Sequence, residues 1–258
     1  MIDATSALGA MLSPSQVRSF MDCQARWWFK YGLHQPDPAT GSMAFGRAVH
    51  AALTQNFAQK TESYEDLPIT GVLALFREAW AIECQHTEFR DDEDPAQLAR
   101  EGEALVTKYM DEVAPTVEPA AVELRVEGEI AGVRVQGWID VLDVEGRIID
   151  LKTAKVSPSG IEPMTKFQVA TYRHLTPGAA GTGRVDTLVR TKTPKIVVQN
   201  FEVTPADLQA IRNLYPMTQL AMRSQHHMPN RLSMLCSRRN CSYWRNCEGE
   251  WGGEVPQT

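Results

Sequence analysis

Long apolar runs are missing from this chain of 258 residues. No stretch approaches the ~18 consecutive apolar residues of a membrane-spanning helix, which excludes a helical span and argues against a membrane partner. The start lacks the basic residues and apolar core of a secretion signal, so the expected location is cytoplasmic. An excess of positive charge is missing too: 26 Lys and Arg against 32 Asp and Glu leave a net charge of -6. That argues against indiscriminate coating of nucleic acid but leaves room for a local basic patch. The cysteines are five, an odd number, and without a secretion signal they do not suit a disulfide framework. Internal repeats and low-complexity tracts are absent as well. What remains is an ordinary globular composition, long enough for one large domain or two small ones.

The charge that is present is uneven. Acids gather in residues 88–103, with Asp91, Asp92, Glu93 and Asp94 consecutive, whereas bases gather later, at Arg184, Arg190, Lys192, Lys195, Arg223, Arg231, Arg238, Arg239 and Arg245. Solvated faces explain such a pattern, and so does a basic groove on an acidic protein.

Ser13-Pro14-Ser15-Gln16 starts a helix, with Ser13 as cap, Pro14 in the first turn and Gln16 closing a capping box. Val17, Phe20, Met21, Trp27, Trp28 and Tyr31 continue it as one apolar face, and Cys23 rides on the same helix. Residues 32–42 read as a loop. A second helix is expected over 43–60, with Phe45, Val49, Leu53 and Phe57 at helical spacing and His50 beside the stripe. Two further helices are expected over 71–88 and 95–113.

After Pro115 the period changes to that of strands. Residues 121–130, 133–142 and 147–153 read as successive antiparallel strands, with Ala131-Gly132 as a hairpin turn. A helix over 163–175, strands over 184–191 and 195–203, and a long helix from 204 to about 226 complete the pattern. Residues 228–258 read as irregular. The order implies an α/β fold with a helical insertion ahead of the sheet.

The chemistry concentrates in residues 137–153. If the loop between the two strands there is residues 144–146, Asp140 falls opposite Asp150 and shares its face. Lys152, two residues on, stays on that face. A loop one residue longer or shorter would turn Asp140 away. A solvated edge ion pair would account for Asp150 and Lys152 alone, but an apolar strand has no packing reason to carry all three.

Four segments in order resemble the PD-(D/E)XK nuclease superfamily in its RecB-like branch: Gly46-Arg47-Ala48-Val49-His50, Gly137-Trp138-Ile139-Asp140, Ile149-Asp150-Leu151-Lys152-Thr153 and Gln168-Val169-Ala170-Thr171-Tyr172. The resemblance implies a restriction-endonuclease-like mixed sheet flanked by helices. It makes His50, Asp140 and Asp150 metal ligands, with the Leu151 carbonyl as a further one, and Lys152 the catalytic lysine. Gln168 and Tyr172, one helical turn apart, would line the site. Two carboxylates suit Mg²⁺ or Mn²⁺, and an imidazole tilts the choice toward Mn²⁺. Glu123 and Glu127 on the preceding strand are either supporting groups around the site or plain edge-strand acids.

Cys236, Cys241 and Cys247 lie together, and Cys23 stands near the start. Four thiolates suit an iron–sulfur cluster or zinc equally by their chemistry. The arrangement is similar to the iron–sulfur variant of RecB-like nucleases, which includes CRISPR-associated RecB-type exonucleases and the AddB nuclease domain, and this favours [4Fe–4S]. The cluster would tie the first helix to the final segment. Cys84 stands outside the pattern.

The resemblance implies one nuclease domain over residues 1–258, with a helical part at 13–115, a core at 120–225 and a cluster segment at 228–258 completed by Cys23. The function it implies is a Mg²⁺- or Mn²⁺-dependent deoxyribonuclease, an exonuclease on DNA ends or single strands in recombination, repair, CRISPR-type or phage DNA processing. Recombination or CRISPR integration proteins would be its partners. The rival readings are a catalytically silent DNA- or partner-binding module and a zinc-stapled endonuclease.

Overall fold

The structure, a computed structural model, describes residues 11–224 and 226–257. The Ser13 hydroxyl accepts a hydrogen bond from the Gln16 amide at 3.2 Å and caps α1, Pro14–Asp22. The helix then breaks, contrary to the expectation of one helix through Tyr31. Cys23 is extended, with φ -165° and ψ 113°. The chain resumes as α2, Gln24–Trp27, and a π turn, Trp28–Gly32. No proline or glycine marks the break. Its freed backbone groups find partners some 200 residues away: the Asp22 carbonyl accepts from the Asn230 side chain at 3.0 Å, and the Ala25 amide donates to the Met228 carbonyl at 3.3 Å. Cys23 therefore stands at a helix break rather than on a helix.

β1, Ala39–Thr40, pairs in parallel with β2, Thr87–Glu88. Local pattern placed the first in a loop and the second in a helix, because pairing between remote dipeptides leaves no periodicity to read. Thr40 also caps α3, Gly41–Ser63, by accepting from the Met43 amide at 3.4 Å. Two helices follow, α4 (Ile69–Cys84) and α5 (Pro95–Glu112). Phe45, Leu53, Phe57, Val72, Phe76, Leu105 and Tyr109 form one buried cluster with Val141, Ile149, Leu151 and Leu188 of the sheet. Removing such side chains from water is the main stabilising term.

The five-stranded sheet runs β3-β4-β5-β6-β7. Its strands are β3 (Pro119–Ile130), β4 (Val133–Asp143), β5 (Ile148–Ala154), β6 (Thr182–Val189) and β7 (Lys195–Glu202). Ala131 and Gly132 connect β3 and β4 with φ 49° and 83°, the positive pair that a tight two-residue hairpin turn requires. β4 and β5 pair antiparallel, β5 and β6 parallel, and β6 and β7 antiparallel. α6, Pro163–Leu175, supplies the crossover that the parallel pair needs. The sheet is mixed, as expected.

Inside this region, Asp186 accepts from Tyr109 Oη at 2.7 Å and from both ends of the Arg184 fork, at 2.6 and 2.8 Å. Arg184 is 5 % exposed. It therefore belongs to the interior and not to a basic groove. The Tyr109 hydroxyl titrates well above its ordinary value because it is buried beside the Asp186 charge.

α7 spans Pro205–Arg223, and α8, Trp244–Trp251, lies in the stretch expected to be irregular. α8 is anchored where Tyr243 and Cys247 are buried against Ala25 and Phe29. Cys241 and Trp251 pack on the same face, Trp251 with its ring 5.6 Å from that of Phe29. The chain divides into two compact units: residues up to Pro38 with Glu127–Gly137 and the residues from Pro205 on, and Ala39–Val126 with Trp138–Thr204. Among the described residues, no helix is long and apolar enough to cross a membrane.

Candidate active site

The site begins with a turn. The Asp143 carboxylate accepts from the amides of Glu145 and Arg147 at 3.1 and 2.7 Å, and from Arg147 Nε at 2.8 Å. Gly146, at φ 77°, completes the three-residue loop 144–146. This fixes the register, and Val141 stands opposite Ile149. The ladder stops there, one residue short of the expected Asp140–Asp150 pair. Leu151 N–H instead donates to Asp140 Oδ2 at 2.8 Å. The acidic pair thus stands where two antiparallel strands part.

Asp150, 3 % exposed, is the most enclosed member. Its Oδ1 accepts from Lys152 Nζ at 3.0 Å and from Gln168 Nε2 at 2.9 Å. Its Oδ2 has no hydrogen-bond partner, although Lys152 Nζ also lies 3.0 Å from it. Burial pushes the carboxyl up to about 6, against the pull of the Lys152 charge. Gln168 Oε1 stands 3.5 Å from Lys152 Nζ, and Gln168 Nε2 reaches Tyr172 Oη at 3.4 Å. α6 therefore presents both residues, one turn apart, to the acidic pair. Burial raises the Tyr172 hydroxyl above its ordinary value, and the nearby Asp140 and Asp150 charges add to this.

His50 comes from α3. Its Nε2 is 3.2 Å from Asp140 Oδ1 and 3.5 Å from Glu123 Oε1 on β3. Burial opposes its charge, but the hydrogen bond to Asp140 and the Asp140 and Glu123 charges prevail and raise its pKa. The ligating atoms of His50, Glu123 and Asp140 all lie within 4.8 Å of one another. Gly46, Arg47, His50, Leu151, Lys152 and Thr153 line one open cleft. A Cβ on Gly46 would stand 3.1 Å from Thr153 Oγ1, so glycine lets α3 approach β5 closely there. Of the residues singled out from sequence, His50, Asp140, Asp150, Leu151, Lys152, Gln168 and Tyr172 come together. Glu123, half exposed on β3, joins this group on the His50 and Asp140 side. Its backbone, at φ 49° within a strand, has no signature in the sequence.

Cys23, Cys236, Cys241 and Cys247 share the wall of a second pocket, with Phe29, Leu235 and Tyr243 around them. All four thiols are free. Asn230 N–H reaches Cys23 Sγ at 3.4 Å. Burial raises the Cys241 thiol and pushes Cys247 up to about 11. Trp244 is flanked by the guanidinium groups of Arg238 and Arg245, each 4.5 Å from its ring.

A crystal structure of a putative exonuclease from Eubacterium rectale is similar over 100 % of this chain and 94 % of its own, at a TM-score of 0.58 and 14 % identity. This likeness establishes the fold alone. A second solved structure, SSO0001, aligns over 98 % of each chain at a TM-score of 0.40 and 14 % identity, too distant to carry an argument. No curated protein matches the sequence. The profile of the PD-(D/E)XK nuclease superfamily, nucleases that generally use divalent metals, matches residues 11–248. A match over nearly the whole chain, on a mixed sheet with a His, Glu and Asp group that could hold a metal, makes the protein a member of the PD-(D/E)XK nuclease superfamily.

Proposed function

We propose that the protein is a divalent-metal-dependent DNA exonuclease of the RecB-like iron–sulfur branch, acting on DNA ends or single strands in recombination, repair or CRISPR-type or phage DNA processing. The observation that carries this reading is the convergence of His50, Asp140, Asp150 and Lys152 where β4 and β5 part. The donor set fits a hard cation: Asp150 Oδ2 is buried without a hydrogen bond, and Asp140 Oδ1 faces an imidazole. His50, Asp140 and Asp150 would hold the ion, with the Leu151 carbonyl as a further ligand. When bound, the ion supplies charge for the phosphate and acidifies a water.

The chain's own groups do the rest. Lys152, 3.0 Å from Asp150, presents an ammonium to the water or to the non-bridging phosphate oxygens, where negative charge builds in the transition state. Gln168 fixes Asp150 and Lys152 together, since it contacts both. Water oxygen bonds to phosphorus and gives up one proton to solvent as the bond to the leaving sugar oxygen breaks, and the leaving oxygen takes a proton from solvent, so that one water is consumed for each bond cut.

The four cysteines suit a [4Fe–4S] cluster. A tetrahedral zinc site with bonds of ~2.3 Å would bring its sulfurs to roughly 3.8 Å of one another. By chemistry alone four thiols on the wall of one apolar pocket suit either group, and the resemblance to iron–sulfur RecB-like nucleases favours the cluster. Proteins that process DNA ends before integration or recombination are the partners this reading implies.

The test is degradation of end-labelled single- and double-stranded DNA with Mg²⁺ or Mn²⁺. Wild type is expected to cleave only with metal, and Lys152→Ala to lose cleavage while still folding and binding DNA. Wild-type rates in Lys152→Ala would overturn the site. Cutting of closed circular DNA would replace exonuclease by endonuclease. Metal-independent DNA binding without cleavage would favour the silent module.

A further inference from the structure

We propose that Glu123 is a direct ligand of the catalytic metal, supplying a carboxylate that the four family segments do not contain. This rests on the metal-dependent reading above and enlarges its ligand set. Three separate elements, α3, β3 and β4, aim His50, Glu123 and Asp140 at one point, and their ligating atoms lie within 4.8 Å of one another. His50 Nε2 faces both carboxylates, at 3.2 and 3.5 Å. A single ring N–H cannot satisfy two carboxylates well, and the two acids repel each other. A cation between the three resolves both conflicts. Ligands at adjacent corners of an octahedron with bonds of ~2.1 Å stand roughly 3.0 Å apart, close to the observed separations.

The backbone points the same way. Glu123 occupies φ 49° inside β3, a conformation that side chains other than glycine rarely adopt. Residues held so persist where the surroundings require it, and they gather at functional sites. Here the left-handed residue sits within the unbroken strand, and its carboxylate meets His50. A glycine would release the strain and lose the carboxylate, which separates a ligand from a structural residue. With an imidazole and two carboxylates on one side, the site favours Mn²⁺ over Mg²⁺.

The experiment is Mn²⁺ binding to the full chain, measured by electron paramagnetic resonance of the free ion, together with melting temperatures with and without Mn²⁺. Glu123→Gln and Glu123→Gly are expected to weaken Mn²⁺ binding on the order of tenfold or more, as loss of a charged ligand does. Without metal, Glu123→Gly is expected to melt at or above the wild-type temperature, and to gain less than wild type when Mn²⁺ is added. Asp140→Asn serves as the control for the site itself. Wild-type Mn²⁺ affinity in Glu123→Gln, with loss in Asp140→Asn, would remove Glu123 from the ligand set and leave the nuclease reading intact. A lower metal-free melting temperature in Glu123→Gly with unchanged affinity would make the residue structural and overturn the proposal. A wild type that neither binds Mn²⁺ nor cleaves would overturn both.

Discussion

Asp150 is held by groups that each do something different. Burial raises its carboxyl, Lys152 counters with charge, and Gln168 fixes its orientation through one oxygen. The other oxygen is buried without a hydrogen bond. Gln168→Ala is therefore expected to lower cleavage roughly ten- to hundredfold, as losses of groups that orient metal ligands do, with an unchanged melting temperature; steady-state rates on labelled DNA check this. Asp186 has the opposite character. It is fully buried and exists to pair Arg184 and Tyr109. Asp186→Ala would strand a buried guanidinium, at a cost of about 3–5 kcal/mol, measurable by urea unfolding. Both acids look alike in the sequence, since each lies in an apolar strand. Asp150 was legible because Asp140 and Lys152 share its neighbourhood at strand spacing. Asp186 was not, because its partner Tyr109 comes from a helix 77 residues earlier.

The turn between β4 and β5 sets the geometry of the site. Asp143 caps it and Gly146 permits it, so a loop of three residues brings Val141 opposite Ile149. This register could be read from residue spacing because turn chemistry is local. The parting of the strands beyond it could not be read, because it depends on Asp140 taking Leu151 N–H out of the ladder. Gly146→Val is expected to destabilise the protein by about 1–2 kcal/mol through its left-handed backbone alone. Contacts at 3.2 Å with the Ala180 amide and the Gly178 carbonyl add to this. Activity should fall with it if the register shifts, and comparison of melting and cleavage in the one variant separates the two effects. The break at Cys23 was hidden for a related reason. The groups that satisfy it, Met228 and Asn230, are remote in sequence, and helical periodicity runs straight through the break.

For the molecule as a whole, the four cysteines join segments at residues 23 and 236–247. A cluster held there would close a loop of more than 200 residues, and such ties stabilise mainly by restricting the unfolded chain. Cys241→Ala is expected to lose the brown visible absorbance of protein prepared without oxygen, and to melt at a lower temperature. A colourless wild type of the same stability would count against the cluster. The overall α/β order was legible because the hydrophobic period changes near residue 115, whereas α8 was not, because its anchoring face is completed by Ala25 and Phe29.

The division of the chain also interleaves its two units along the sequence. One compact unit draws on residues up to 38, on 127–137 and on those from 205 onward, while the other uses 39–126 and 138–204. Phe20, Trp27 and Phe29 precede the whole of the second unit in the sequence, yet each is 5 % exposed or less in a unit that also needs residues beyond 204. All the residues of the unit carrying the acidic site therefore precede the last partners of the leading aromatic segment. Any group shared by Cys23 and Cys247 would therefore have to wait until two segments more than 200 residues apart in the sequence have folded together.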